Sequence, residues 1–236
     1  DTGRIQIFAP DGSFVNQWEL QSDLLYLSGL AATRDGSLYA VVSGDIHRYE
    51  GKTGSLLGTL STGDDFESID DIAVTSGGGL VAASSDALYW FNSDGQLVRK
   101  TEQPLADILL GQSNSVADVA SVNSVAVDGS DNIYLAIFPQ YFIFKLSSDG
   151  SLIDRIGGKG EGGGKFRTWP YAAAVDGQGR LFAYDFSGIQ VFDANGDYLA
   201  TISLEGLTYD MVFNLQNELL VMDRNANKIA KYVMNR

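Results

Sequence analysis

The chain has 236 residues, 44% of them hydrophobic, with 27 glycines, 4 prolines, one histidine, no cysteine and a formal net charge of −14. Disulfides, thiolate metal sites and cysteine nucleophiles are excluded, and the acidic balance argues against a nucleic acid or an anionic membrane as partner, since both need a basic footprint. No apolar run reaches the roughly 18–20 residues of a membrane helix, no signal peptide is visible, and the start at Asp1 rather than Met reads as a chain trimmed or excised from a longer one.

In chain order, RIQIF (4–8) and SFVNQWEL (13–20) come first, joined by the turn APDG. From residue 30 onward the sequence repeats itself. LAAT (30–33), IAVT (72–75), VAVD (125–128), AAVD (173–176) and MVFN (211–214) are the first runs of five units. LYAVVS (38–43), LVAASS (80–85), IYLAIF (133–138), LFAYDF (181–186) and LLVMDR (219–224) are the second runs. IHRY (46–49), LYWF (88–91), FIFKL (142–146), IQVF (189–192) and IAKY (229–232) are the third, and SLLGTL (55–60), QLVRKT (96–101), SLIDRI (151–156) and YLATIS (198–203) close four of the units. These are short β-branched and aromatic runs punctuated by Gly, Asp, Asn and Ser, a strand and turn signature without helical period. Four short antiparallel strands recurring at about 40–50 residues are the sequence mark of a β-propeller, in which sheets stack around an axis because one alone leaves apolar faces bare.

The reading is therefore one all-β domain over residues 1–236, built of four-stranded antiparallel blades. Residues 4–20 supply a third and fourth strand without a first and second, and the C-terminus supplies a first, second and third without a fourth. Phe14–Leu20 is expected to complete the last sheet and close the ring by pairing N- and C-terminal strands. Six blades are favoured over five, with one inner strand pair missing upstream of Asp1, which aligns with Asp185 and Asp223.

GGKGEGGGKF (157–166) invites comparison with a phosphate cradle, but Gly164-Lys165 is followed by Phe166 where a P-loop has Ser or Thr, Lys159 stands where its first Gly would be, and no helix follows. With the residues after it, this stretch resembles the NHL repeat: a Gly-rich stretch, Phe and Pro (GGKGEGGGKFRTWP), then AAVDGQGRLFAYD and SGIQVFDANGDYL. DTGRIQIFAPDGSF (1–14) and SVAVDGSDNIYLAIF (124–138) match parts of the same pattern; in the looser units the Pro is absent and Thr33, Thr75 and Asn214 replace the Asp after the first strand. The resemblance covers the whole chain and implies an NHL-type propeller with the Gly-rich stretch as a connection between blades. It is specific for fold rather than for function.

In such a propeller the fourth-to-first and second-to-third connections share the face around the central channel. Aligned repeats put Ser28, Asp70, Asn123, Tyr171 and Tyr209 at one position before the first strand, and Gly29, Asp71, Ser124, Ala172 and Asp210 at the next. The turns add Asp45, Asp86, Gln140, Asp185, Phe186, Asp223, Arg224 and Asn225. The residues selected as the binding face are Asp70, Asp71, Asn123, Trp169, Tyr171, Tyr209 and Asp210, with inter-blade packing as the alternative role of Trp169. The insertion 102–121 belongs to this face as a recognition loop, or its LADILL segment (105–110) plugs the ring.

The resemblance also bears on chemistry. Related propeller lyases gather several histidines around a metal; this chain has only His47, on a third strand, where an edge position suits it better than a catalytic triad. Six-bladed lactonase-type propellers hold calcium with carboxylates and amides, and Asp70, Asn123 and Asp210 are the oxygen ligands that could do so here. Turn acids such as those of DGSDN (128–132) are read as turn formers. The expectation is a non-catalytic, cofactor-free binding or scaffold module facing a protein, peptide or glycan, as one domain of a larger bacterial extracellular or periplasmic protein without membrane insertion. The alternatives are a calcium-dependent lactonase or hydrolase and a structural assembly subunit.

Overall fold

The computed structural model describes residues 3–20, 26–63, 68–103, 105–111, 121–204 and 206–233. Strands follow the repeat. The N-terminal pair is β1 (Arg4–Phe8) and β2 (Phe14–Glu19); next come β3 (Leu27–Ala32), β4 (Ser37–Val42), β5 (Asp45–Glu50) and β6 (Leu56–Leu60), then β7 (Asp71–Val74), β8 (Leu80–Ala83), β9 (Leu88–Phe91) and β10 (Leu97–Lys100). One short helix, α1 (Leu105–Leu110), precedes β11 (Ser121–Val127), β12 (Ile133–Phe138), β13 (Phe142–Leu146) and β14 (Leu152–Gly157). The last sheets are β15 (Ala172–Val175), β16 (Leu181–Asp185), β17 (Gly188–Phe192) and β18 (Tyr198–Ile202), then β19 (Met211–Phe213), β20 (Glu218–Asp223) and β21 (Lys228–Val233). Each sheet is an antiparallel meander: among the described residues, four have four strands, β19–β21 form a three-stranded sheet and β1–β2 a two-stranded one. Five sheets thus carry a first and a second strand, and β1–β2 stands as an outer pair.

The turns explain much of the acidity. Asp128 accepts the Ser130 and Asn132 backbone N–H groups and the Tyr134 hydroxyl, and Asp176 accepts those of Gln178 and Arg180 while pairing with the Arg180 guanidinium at 2.7 Å. Asn214 accepts from Gln216 and Glu218 in the same manner. Between third and fourth strands, Asp193 accepts from Asn195 and Asp197. A short side chain that returns to its own backbone two to four residues on is what a tight hairpin selects.

The chain divides into two compact units, residues 1–84 with 89–100 and residues 85–88 with 101–236. In the first, β1–β2 stack on β3–β6: Trp18 lies 5.0 Å from Tyr49 and donates its indole N–H to the Gly51 carbonyl, with Ile5, Leu20, Ala40 and Val42 around them. Among the described strands β2 pairs with β1, and the Ile5 and Trp18 side of this hairpin is buried on the β3–β6 sheet, which gives it a packed face within its own unit.

In the second unit, two interfaces stack three sheets. Tyr134, Ile143, Ile156, Phe166, Leu181 and Phe192 fill the first; Phe182, Tyr184, Ile189, Met211, Leu219 and Val221 fill the second. The middle strands β16 and β17 are buried throughout, whereas the outermost β18 is almost wholly exposed. First strands of adjacent sheets share no ladder; Ser124 links β11 to β15 instead, its hydroxyl accepting the Ala173 N–H at 3.1 Å. The helix α1 buries Leu105, Ala106 and Leu109 and is held by the Arg155 guanidinium on the Leu109 carbonyl, so LADILL packs at an outer strand; residues 112–120 of the insertion lie outside the described residues.

The Gly-rich stretch is the connection from β14 to β15. Phe166 at its end is fully buried, and Lys159 and Phe166 form a parallel bridge that folds the loop on itself. A Cβ on Gly157 would sit 2.3 Å from the Phe166 ring, and one on Gly163 would sit 2.3 Å from the Tyr198 ring. Glycine is needed there for room, and Lys165 spends its ammonium on the Gly157 carbonyl at 2.9 Å. The stretch is the connection between blades that the resemblance implied, and its glycines make room for Phe166 and Tyr198.

Candidate binding face of the second unit

Asp185 ends β16 fully buried and organises the segment between the Gly-rich loop and β15. One oxygen accepts the Arg167 and Thr168 N–H groups at 2.6 and 3.2 Å; the other accepts the Ser187 N–H at 2.9 Å and the Ser187 hydroxyl. The loop end is thereby clamped to the β16–β17 turn, with Tyr171 beside Phe186 and Trp169 next to Tyr171.

The result is a continuous run of rings across three sheets. Phe138 meets Trp169 edge-on at 4.5 Å, Trp169 lies 6.1 Å from Tyr171, Tyr171 lies 4.7 Å from Phe186, and Tyr171 meets Tyr209 at 6.1 Å and 88°. Phe186 and Tyr209 are 49% and 37% exposed, too open for core residues of this size. Beyond Tyr209, Arg224 donates Nη1 to the Tyr209 hydroxyl oxygen at 3.0 Å and lies 5.1 Å over its ring. Burial pushes the Tyr171 hydroxyl above its ordinary range, partly opposed by a hydrogen bond from Trp169.

Of the sequence-selected residues, Trp169, Tyr171 and Tyr209 come together in this run. Asn123 borders it by donating its amide to the Pro170 carbonyl at 3.0 Å. Trp169 meets Phe138 of the neighbouring sheet, which is the packing role, and remains partly open. Asp210 follows Tyr209 and is reached by solvent while crowded by protein; desolvation raises its carboxyl above the ordinary carboxylate value of 3.8, a hydrogen bond from the Met211 N–H opposing the shift. Asp70 and Asp71 belong to the first unit. The Asp70 N–H donates to the Ala83 carbonyl, and Asp71 opens β7 so near Gly29 that a Cβ there would come within 2.7 Å of its Oδ1. Phe138 was missed because it reads as the last residue of an apolar strand, and its contact with Trp169 depends on a residue 31 positions later.

The raised carboxyl of Asp210 fixes a sign. A carboxyl that binds its proton more tightly in the folded protein lowers stability as pH climbs above 3.8, and the penalty is absent below that value. Asp210→Asn should therefore raise the melting temperature near neutrality, and the gain should fade on acidification; a gain independent of pH, by calorimetry, would refute this origin.

As to metal chemistry, no group of three or more His, Asp or Glu side chains placed to hold an ion occurs among the described residues. The second unit offers Asn123 and Asp210 of the suggested calcium ligands, and the Asn123 amide nitrogen is committed to Pro170. His47, in the first unit, bonds Thr59 Oγ1 through Nδ1 at 3.0 Å and lies 6.2 Å from Tyr49; β5 is paired on both sides, by β4 and β6, so His47 is on an interior strand rather than at the expected edge.

Antiparallel four-stranded blades stacked through aromatic interfaces, with one face of connecting loops, define a β-propeller. Solved structures agree. The chain is similar to a protein of unknown function from Bacteroides caccae (14% identity, TM-score 0.66, covering 95% of this chain and 82% of that one). It is similar to virginiamycin B lyase from Staphylococcus aureus (13% identity, TM-score 0.64, 100% and 78%) and to a gluconolactonase from Xanthomonas campestris (20% identity, TM-score 0.65, 94% and 76%). At these identities the likeness is one of fold. No family model matches the chain, and no curated protein does.

Proposed function

We propose that this protein is a non-catalytic binding module of the NHL-type propeller class, whose ring run from Trp169 to Tyr209 receives a protein, peptide or glycan. The observation that carries the reading is the partly exposed, rigidly held aromatic series with Arg224 at its end. Tyr, Trp and Arg are the side chains that most often dominate binding energy, because they offer large area at small conformational cost. Asp185 holds the platform in place before any ligand arrives, which lowers the ordering cost of binding. The same reading places the module in a larger bacterial extracytoplasmic protein; no helix among the described residues is long and apolar enough to cross a membrane.

A displayed random-peptide library and an arrayed glycan set, screened against the protein and against Tyr171→Ala with Tyr209→Ala, test this. Ligands of the unaltered protein are expected to lose at least about tenfold in affinity to the double variant, the scale of a lost aromatic anchor. Ligands that keep their affinity would place the contact on a propeller edge, as in an assembly subunit, and refute the face.

A calcium-dependent lactonase is the second reading, favoured by the likeness to a gluconolactonase fold. It requires a melting temperature several degrees higher in millimolar calcium than in EDTA, with the difference lost in Asp210→Asn. The binding module should show no such difference.

A further inference from the structure

We infer that the group recognised at the Tyr209 end of the aromatic run is a carboxylate, carried beside an apolar or aromatic side chain as at the C-terminal residue of a peptide. This rests on the binding face proposed above and assigns its ligand chemistry. The first observation is charge. Arg180, Lys228 and Lys231 in the same unit each have an acid within ion-pair distance (Asp176, Asp223 and Glu218). Arg224 has none among the described residues, and neither do Lys145, Arg155, Lys159 and Lys165, but Lys145, Arg155 and Lys165 give their charged heads to the Ala194, Leu109 and Gly157 carbonyls and Lys159 lies over the Tyr141 ring, whereas the Arg224 head meets only Tyr209. Its backbone N–H donates to the Leu207 carbonyl at 2.9 Å, and its guanidinium donates Nη1 to Tyr209 and lies over the Tyr209 ring.

The second observation is the direction of that hydrogen bond. A guanidinium has only donors, so the Tyr209 oxygen must accept, and the hydroxyl hydrogen is left to donate elsewhere. The remaining N–H groups of Arg224 and the O–H of Tyr209 are then two donors whose heavy atoms lie 3.0 Å apart, at the open end of a wall formed by Phe186, Tyr171 and Tyr209. Two adjacent donors, one of them cationic, suit the two oxygens of a carboxylate, and the rings suit the apolar group next to it. An ammonium would meet Arg224 already lying over the Tyr209 face. The net charge of −14 opposes an anion at long range, but is screened beyond about 8 Å at physiological ionic strength.

The probes are acetyl-Gly-Gly-Phe with a free C-terminus, the same peptide as its C-terminal amide, hydrocinnamate and 3-phenylpropylamine. Binding is read from the Trp169 indole N–H resonance, assigned with Trp169→Phe. The free-acid peptide is expected to bind about tenfold or more tightly than the amide, the usual strength of a charge-assisted hydrogen bond. Arg224→Gln should erase that preference, Arg224→Lys should restore part of it, and Tyr209→Phe should reduce it while keeping the ring. Hydrocinnamate binding as well as the peptide acid would name a small aryl acid as the source of the same carboxylate. Acid and amide binding alike, with both lost in Tyr171→Ala, would overturn the carboxylate and leave the aromatic face standing. Tighter binding of the amine, or no binding by any probe, would also overturn it, and probe binding indifferent to Tyr171→Ala would remove the face as well.

Discussion

Phe166→Ala should cost about 3–5 kcal/mol, the usual range for removing a fully buried phenylalanine when its surroundings relax only in part. The ring has no exposure and sits among Tyr134, Ile143, Ile156, Leu181 and Phe192. Collapse around the lost ring is hindered, because the Gly157 and Gly163 backbones are already at closest approach to Phe166 and Tyr198. At about 2–4 °C per kcal/mol for a chain of this size, the melting temperature should fall by roughly 6–20 °C. Phe166→Leu keeps most of the volume and should cost less. Thermal unfolding by circular dichroism decides the matter: a fall of under two degrees in the alanine variant would mean that the Gly-rich connection does not hold the sheets together.

Asp185→Ala is expected to act twice. The substitution removes the acceptor of the Arg167, Thr168 and Ser187 backbone N–H groups in a fully buried position. Each orphaned donor costs about 1–3 kcal/mol, so a total of about 3 kcal/mol or more should appear in denaturant unfolding. Beyond stability, the clamp on the segment that carries Trp169 and Tyr171 is gone, so ligand affinity should fall even at a temperature where the variant is fully folded. Asp185→Asn retains one acceptor oxygen and should lie between the two. If Asp185→Ala unfolds earlier yet binds its ligands unchanged once folded, the residue supports the fold but does not position the face.

Both predictions concern features the sequence shows only in part. Fold class was legible because strand signals are local: the runs beginning at Leu38, Leu80, Ile133, Leu181 and Leu219 each became a second strand within a residue or so. Turn chemistry was legible for the same reason, since Asp128, Asp176 and Asn214 bond to backbone two to four residues away. The P-loop was excluded by spacing alone, and burial of Phe166 accounts for the glycines around it.

Position in a repeat told where Tyr171 and Tyr209 begin their strands, but not that their rings would meet at 6.1 Å, nor that Arg224 would lie over one of them. The two tyrosines are 38 positions apart and meet through packing between sheets, and Arg224 reaches Tyr209 from 15 positions away at one end of the paired strands β19 and β20; a single sequence carries no local signal for either contact. The burial of Trp18 against Tyr49, which gives the N-terminal hairpin its packed face, is likewise a contact between sheets that no local pattern announces. The sequence by itself determined the strands, their turns and the alignment of equivalent positions, because these depend on hydrogen bonds and periodicity within a few residues. Only the tertiary structure decided which aromatic side chains face each other and that Asp185 would take up the Arg167 and Thr168 N–H groups, because those contacts depend on how distant segments pack.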